Sequence, residues 1–188
     1  MNDRLEIGEF LDAVALADWR AALRAADGAP AGLMSKLPGG LVAPSVRRTT
    51  RLHPGGTFLT VIVAHVEAHR AAIERWYGAS LGACEEPQCL RYDPGDYFVA
   101  HQDGNTPMVH DASRHRRVSI VIFLSGPDDY AGGELMLHGP RNTLHEPEPV
   151  APPAGTLVAF RAETTHEVTV MTGGERFTIA TWLRAPGT

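Results

Sequence analysis

The most apolar run of the chain is Val118-Ser119-Ile120-Val121-Ile122-Phe123-Leu124, within Arg117–Ser125. It is short, rich in β-branched residues and followed by the turn signal Gly126-Pro127-Asp128, which predicts a buried central strand. Further strands are expected over Gln88–Tyr92, Tyr97–His101, Glu134–His138, Glu148–Ala151, Leu157–Arg161, Thr165–Val170 and Arg176–Leu183. Turn signals separate them at Asp93-Pro94-Gly95, Gly132-Gly133, Pro152-Pro153-Ala154-Gly155 and Gly173-Gly174. Before Gln88 the period changes. Phe10, Val14, Ala17, Ala21 and Leu23 suggest one apolar stripe on a helix from about Gly8 to Ala26, ended by Gly28 and Pro30. Gly28 to Pro44 reads as loop, a short strand is expected within Leu41–Leu52, and His53-Pro54-Gly55-Gly56 reads as a turn. A second helix is expected from Leu59 to Tyr77, burying Ile62, Val66, Ile73 and Trp76 and ending at Gly78.

Roughly eight strands after a helical third predict a mainly β (α+β) fold: a double-sheet jelly roll, or double-stranded β-helix, backed by the N-terminal helices. A chain of 188 residues is long enough for one domain with a substantial core. The expected organisation is a single domain over 1–188, with helical support in 1–85 and the jelly-roll core in 86–188. No internal repeat is visible.

Composition narrows the function class. Apolar residues make up 44% and charged residues 21%, as in ordinary globular proteins. The net charge of -5, from 17 basic and 22 acidic residues, gives no basic surplus for a nucleic-acid partner. The cluster Arg114-His115-Arg116-Arg117 reads as a solvated loop or strand end. Cys84 and Cys89 have neither CxxC nor zinc half-site spacing and are expected to be reduced thiols. The start Met1-Asn2-Asp3-Arg4 lacks a leader pattern, and no apolar run approaches the roughly 18 residues of a membrane span. A cytoplasmic location and no membrane partner follow as expectations; nothing bears on oligomeric state. His65 and His69 have zincin spacing, but Val66-Glu67-Ala68 misplaces the glutamate, so they read as helix-surface histidines.

The candidate chemistry lies at two distant places. His101-Gln102-Asp103 sets an imidazole and a carboxylate two residues apart, on one face if the strand stays extended. His166 lies near the other end, and Arg176 follows ten residues later. Two histidines and one carboxylate form a facial triad that suits non-haem Fe(II) and leaves positions open. The arginine offers a planar fork for a carboxylate. Gly104 to His115 follows the His-x-Asp directly and reads as a mobile flap; His110 and His115 within it are expected to be solvated.

The order Tyr92, His101-x-Asp103, Gly132-Gly133-Glu134-Leu135, Pro153-x-Gly155, His166-Glu167-Val168, Gly174-Glu175-Arg176 and Trp182 resembles the 2-oxoglutarate and Fe(II)-dependent oxygenases, in their prolyl 4-hydroxylase-like branch. The likeness covers Gln88 to Leu183. It implies that His101, Asp103 and His166 are the catalytic iron ligands and that Arg176 binds the far carboxylate of 2-oxoglutarate. It implies that the Tyr92 hydroxyl touches this cosubstrate, and that Trp182, otherwise a core residue, borders the substrate. A family tyrosine is replaced by Phe123, and Thr178, two residues after Arg176, is positioned to stand in for it. The implied cofactors are Fe(II), 2-oxoglutarate and O2, with ascorbate as a stimulant. The implied reaction is hydroxylation of an aliphatic C–H, with a prolyl residue of a peptide or protein as the leading substrate. Asp103 favours hydroxylation, since family halogenases lack this carboxylate. Hydroxylation of a free amino acid or small metabolite is the first alternative, and a non-catalytic cupin-like metal-binding module the second.

Overall fold

The computed structural model describes residues 4–33, 42–107, 109–139 and 146–188. In chain order the strands and helices are β1 (Arg4–Ile7), α1 (Ala13–Ala25), β2 (Gly28–Pro30), β3 (Arg47–Arg48), β4 (Thr50–Leu52), α2 (Gly56–Ala68), α3 (Arg70–Tyr77), β5 (Gln88–Tyr92) and β6 (Tyr97–His101). They continue with β7 (Arg116–Phe123), β8 (Tyr130–Gly132), β9 (Leu135–Leu137), β10 (Glu148–Val150), β11 (Thr156–Arg161), β12 (His166–Val168), β13 (Met171–Gly174) and β14 (Arg176–Arg184). A 3-10 turn over Ala112–His115 precedes β7. The large sheet runs β1-β11-β7-β14-β5-β4-β2 and the small one β10-β9-β12-β6-β3, with β8 and β13 forming a separate pair. This is the expected jelly roll with helices against one sheet.

Strand alternation divides the interior. On β14, Phe177, Ile179 and Leu183 join the helix-side core with Ile120 and Ile122 of β7 and Leu157 of β11. The helices answer with Trp19 and Leu23 of α1, Ile62 and Val66 of α2 and Ile73 of α3. Each such aliphatic or aromatic side chain, fully buried, contributes about 1.5–3 kcal/mol. The alternate β14 residues Arg176, Thr178, Ala180 and Trp182 line a cavity between the two sheets.

The helical third departs from expectation in three ways. Helix α1 turns Trp19 and Leu23 inward, with Leu16 against the same core, while Val14 is 71% exposed. The large indole fixes the rotation of the helix, and Val14 falls on the opposite side. The second expected helix is two helices. At His69 the backbone leaves helical values (φ -101°, ψ 2°), its N–H turns to Val66 O at 3.0 Å, and its ring Nδ1 lies 2.9 Å from His65 O. His65 and His69 are half-buried, packed on Trp19 and Phe10 rather than solvated. Gly78 ends α3 at φ 76° as expected. Strands β1 and β2 and the β8–β13 pair are additions. Of the expected Leu41–Leu52 strand, β3 and β4 form two pieces, and Leu41 lies outside the described residues, as does the N-terminal Met1–Asp3. Cys84 and Cys89 are free thiols.

Candidate active site

Strand β6 carries His101 and strand β12 carries His166, and the two residues are directly paired across the small sheet. Phe98 pairs with Val168, so β6 spends three steps where β12 spends two. The extra residue is a bulge. It puts Phe98 and His101, an odd number apart, on one face, and their rings stack with centroids 3.6 Å apart. The strand ends at His101, so Asp103 is not placed by strand alternation, as the sequence pattern suggested. The N–H groups of Asp103 and Gly104 both donate to Ala162 O, at 3.0 and 3.1 Å, and Gln102 Nε2 donates to Glu163 O at 2.6 Å. These bonds clamp the turn after β6 to the end of β11. A Cβ at Gly104 would lie 2.2 Å from Ser113 O, so the turn has no room for a side chain.

The three groups converge. His101 Nε2 lies 3.5 Å from Asp103 Oδ1, His166 Nε2 lies 3.5 Å from Asp103 Oδ2, and one ligand atom from each fits within 4.8 Å of the others. Each imidazole Nδ1–H donates to a backbone carbonyl, His101 to Val99 at 2.8 Å and His166 to Thr164 at 2.9 Å. That contact fixes the tautomer and leaves each Nε2 lone pair facing inward. Ser119 on β7 donates its hydroxyl to Asp103 Oδ2 at 2.7 Å. Burial would raise the Asp103 carboxyl, but His166, His101 and the Ser119 hydroxyl outweigh it and hold the group well below the usual carboxylate range. Burial, and then His101, push His166 down to about 4 against the opposing pull of Asp103. At neutral pH the cluster therefore presents a carboxylate and a neutral His166 imidazole, the forms that bind a metal cation. Phe160 closes one side, its ring edge-on to His166 at 4.9 Å.

Arg176 opens on the same cavity, of about 870 Å³, and is only 1% exposed. Its guanidinium lies 5.2 Å from the rings of Tyr92 and Phe123 and 5.7 Å from that of Tyr130. Among the described residues no carboxylate pairs with it, and its Nε has no hydrogen-bond partner. A charge so buried and unpaired costs several kcal/mol, so the pocket is shaped for an anion. Gly133, at φ 65°, lets the chain pass: a Cβ there would meet Met171 Sδ at 2.2 Å and Arg176 Cδ at 3.8 Å. Tyr92 pairs with Arg176 across β5 and β14, and Thr178 lies two residues along on the same lining. Trp182 also lines the cavity, with the guanidinium of Arg116 3.6 Å from its ring centre.

Arg116 corrects an expectation. Read in sequence as part of a solvated basic cluster, it is buried and gripped by both carboxylate oxygens of Glu85 at 2.7 to 3.1 Å. In the expected flap, Met108 lies outside the described residues. Val109, His110, Asp111 and Ser113 line the cavity, with His110 exposed, while His115 accepts from Arg114 Nε at 3.1 Å. Ser119, Phe98, Tyr130 and Arg47 border the site without having been singled out in sequence. Strand parity with Phe123 could have found Ser119. The others depend on pairings between strands distant in sequence.

Comparison with known proteins agrees with this geometry. Residues 87–184 match the model of the 2OG-Fe(II) oxygenase superfamily, just over half the chain. The chain belongs to this family, whose members work with Fe(II), 2-oxoglutarate and dioxygen. A PKHD-type hydroxylase of Gluconacetobacter diazotrophicus is 36% identical over 101 residues, covering 53% of this chain and 43% of that protein. The chain thus aligns with less than half the length of this relative. A prolyl-4-hydroxylase of Pseudomonas putida has the same fold, with a TM-score of 0.73 at 24% identity, covering 100% of this chain and 95% of the other. A prolyl hydroxylase of Trichoplax adhaerens, solved with a peptide fragment of the hypoxia inducible factor oxygen degradation domain, gives 0.73 at 16% identity, covering 98% and 84%. Among the described residues no helix is long and apolar enough to cross a membrane.

Proposed function

We propose that the chain is a non-haem Fe(II) and 2-oxoglutarate-dependent dioxygenase that hydroxylates an aliphatic C–H, with proline in a peptide or protein as the leading substrate. His101, Asp103 and His166 would hold the iron through two Nε2 atoms and a carboxylate. Iron(II), when bound, supplies the redox chemistry by which 2-oxoglutarate and O2 become succinate and CO2 while the second oxygen atom enters the substrate as hydroxyl. The chain's own residues orient and shield. The carbonyls of Val99 and Thr164 hold the imidazoles in their binding tautomers, and Ser119 holds Asp103. Arg176 takes the far carboxylate of 2-oxoglutarate, with the Tyr92 and Thr178 hydroxyls beside it. Phe123 supplies a ring in place of a phenol donor. Trp182 borders the substrate, its Nε1–H buried without an acceptor among the described residues.

The observation that carries this reading is the buried guanidinium of Arg176, which has no carboxylate partner among the described residues and lies in the same cavity as the triad. A cupin-like metal store has no use for it. Prolyl substrates are supported by the names of the two structural neighbours, one of them holding a peptide. The test is anaerobic titration with Fe(II) and 2-oxoglutarate, where a weak visible charge-transfer band is expected. Turnover with a panel of peptides and amino acids, with ascorbate, should then add one oxygen atom per succinate formed. No band and no succinate would refute the oxygenase reading.

A further inference from the structure

A second arginine enters the cavity from the other sheet. Arg47, on β3 at the edge of the small sheet, is 7% exposed and lines the same cavity as the triad. Its Nη1 makes two long bonds, to Gly32 O and to Gln88 Oε1, both at 3.4 Å. Its Nε has no partner, and no carboxylate pairs with it among the described residues. The neighbouring Arg48 behaves differently: it points outward and meets Asp96 at 3.3 Å. Other arginines on the cavity wall are neutralised, Arg116 by Glu85 and Arg51 by Glu86. Among the described residues, Arg47 and Arg176 are left as the two guanidiniums lining it without a carboxylate partner. If Arg176 takes 2-oxoglutarate, Arg47 requires a second anion.

The position of Arg47 restricts that anion. Its guanidinium lies 4.8 Å from the centre of the Phe98 ring, and Phe98 stacks directly on His101. One aromatic ring therefore links the cation to a metal-site imidazole. A ligand carboxylate held there is separated from the His101 imidazole by the breadth of one ring stack, within the reach of a small ligand that also presents a carbon to the metal. The α-carboxylate of an amino acid meets this condition. An internal peptide residue has a neutral amide at that place, which leaves the guanidinium unneutralised.

We infer that Arg47, steadied by Gln88, binds the α-carboxylate of the substrate, so that the enzyme acts on a free amino acid or on the C-terminal residue of a peptide. The inference rests on the oxygenase reading above and narrows its substrate from a prolyl residue at any position to one that presents a free carboxylate. Arg47 is a binding residue of the second anion, distinct from the 2-oxoglutarate pocket. The Arg47 fork donates hydrogen bonds to both carboxylate oxygens, which explains an arginine here rather than a lysine.

The test is calorimetry on the full chain loaded anaerobically with Fe(II) and saturating 2-oxoglutarate, which fills Arg176. Three probe sets are titrated: pools of the free amino acids, pools of tripeptides with free C-termini, and the same tripeptides C-terminally amidated. At least one acid pool should bind, and the first two sets tell a free amino acid from a chain end. Amidation or Arg47→Leu should weaken binding about 10- to 100-fold. Gln88→Glu is nearly isosteric and supplies an internal carboxylate to Arg47; it should abolish the preference for acid over amide without unfolding the protein. The charge-transfer band of the wild type separates the two failures: its absence removes the oxygenase reading. If the band forms and amidated pools bind as well as acids, or no acid pool binds, or Gln88→Glu keeps the preference, Arg47 is not the carboxylate anchor.

Discussion

Along β14, Phe177, Ile179 and Leu183 point to the helices, whereas Arg176, Thr178, Ala180 and Trp182 point into the cavity. The helix side is a continuous apolar layer whose members are nearly all fully buried. The cavity side holds, among the described residues, a guanidinium with no carboxylate partner and an indole N–H without acceptor. Many small transfer and dispersion gains add up on the first face. The second forgoes such gains to keep polar groups available for a ligand. One strand thus serves stability with one set of residues and binding with the interleaved set, and substitutions should separate the two.

The largest separation is expected at the metal site. His166→Ala should lower succinate formation by at least about a thousandfold, roughly 4 kcal/mol, with the melting temperature of the metal-free protein shifted by only about 2 °C. A large fall in melting temperature would assign His166 to the core instead. Phe177→Ala tests the opposite face and should destabilise by about 3–5 kcal/mol in denaturant unfolding, while the folded fraction keeps its 2-oxoglutarate KM. Arg176→Met should raise that KM about 100-fold, some 2.7 kcal/mol, with unfolding free energy unchanged or higher, since a buried unpaired charge is replaced by an apolar chain of similar volume. A clear loss of stability would reveal a structural partner for the guanidinium. Smallest is Thr178→Val, expected to raise the 2-oxoglutarate KM a few-fold, or about 1 kcal/mol; an unchanged KM would take Thr178 out of the pocket.

The same contrast explains what could be read from sequence. Strands β5, β6 and β14 match their expected ranges within a residue, because short apolar runs bounded by Gly and Pro signals have few other uses. Strand parity put Arg176 and Thr178 on one face, and the structure agrees. Non-local features were hidden. Leu5 and Ile7 of β1 alternate properly, but four residues carry little signal without β11 beside them. Gly132-Gly133 and Gly173-Gly174 read as turns, yet Gly132, Gly173 and Gly174 take part in the β8–β13 pairing, with Gly132 and Gly174 at positive φ beside its irregular register. In the Arg47-Arg48 and Arg116-Arg117 pairs, which member turns inward depends on strand register. Val14 fits the apolar stripe in sequence, yet it faces solvent because the docking of Trp19 sets the rotation of α1.

The bulge in β6 lets the strand carry one residue more than its partner without turning the imidazole away from the cavity. Val99 and Ala100, the residues between Phe98 and His101, are both exposed. Saturation mutagenesis there should be largely tolerated, and loss of a single codon would restore the even spacing of a regular strand, which still keeps Phe98 and the imidazole on one face. For this lineage, that spot is where one residue can be lost in a single step while the imidazole keeps its direction toward the cavity.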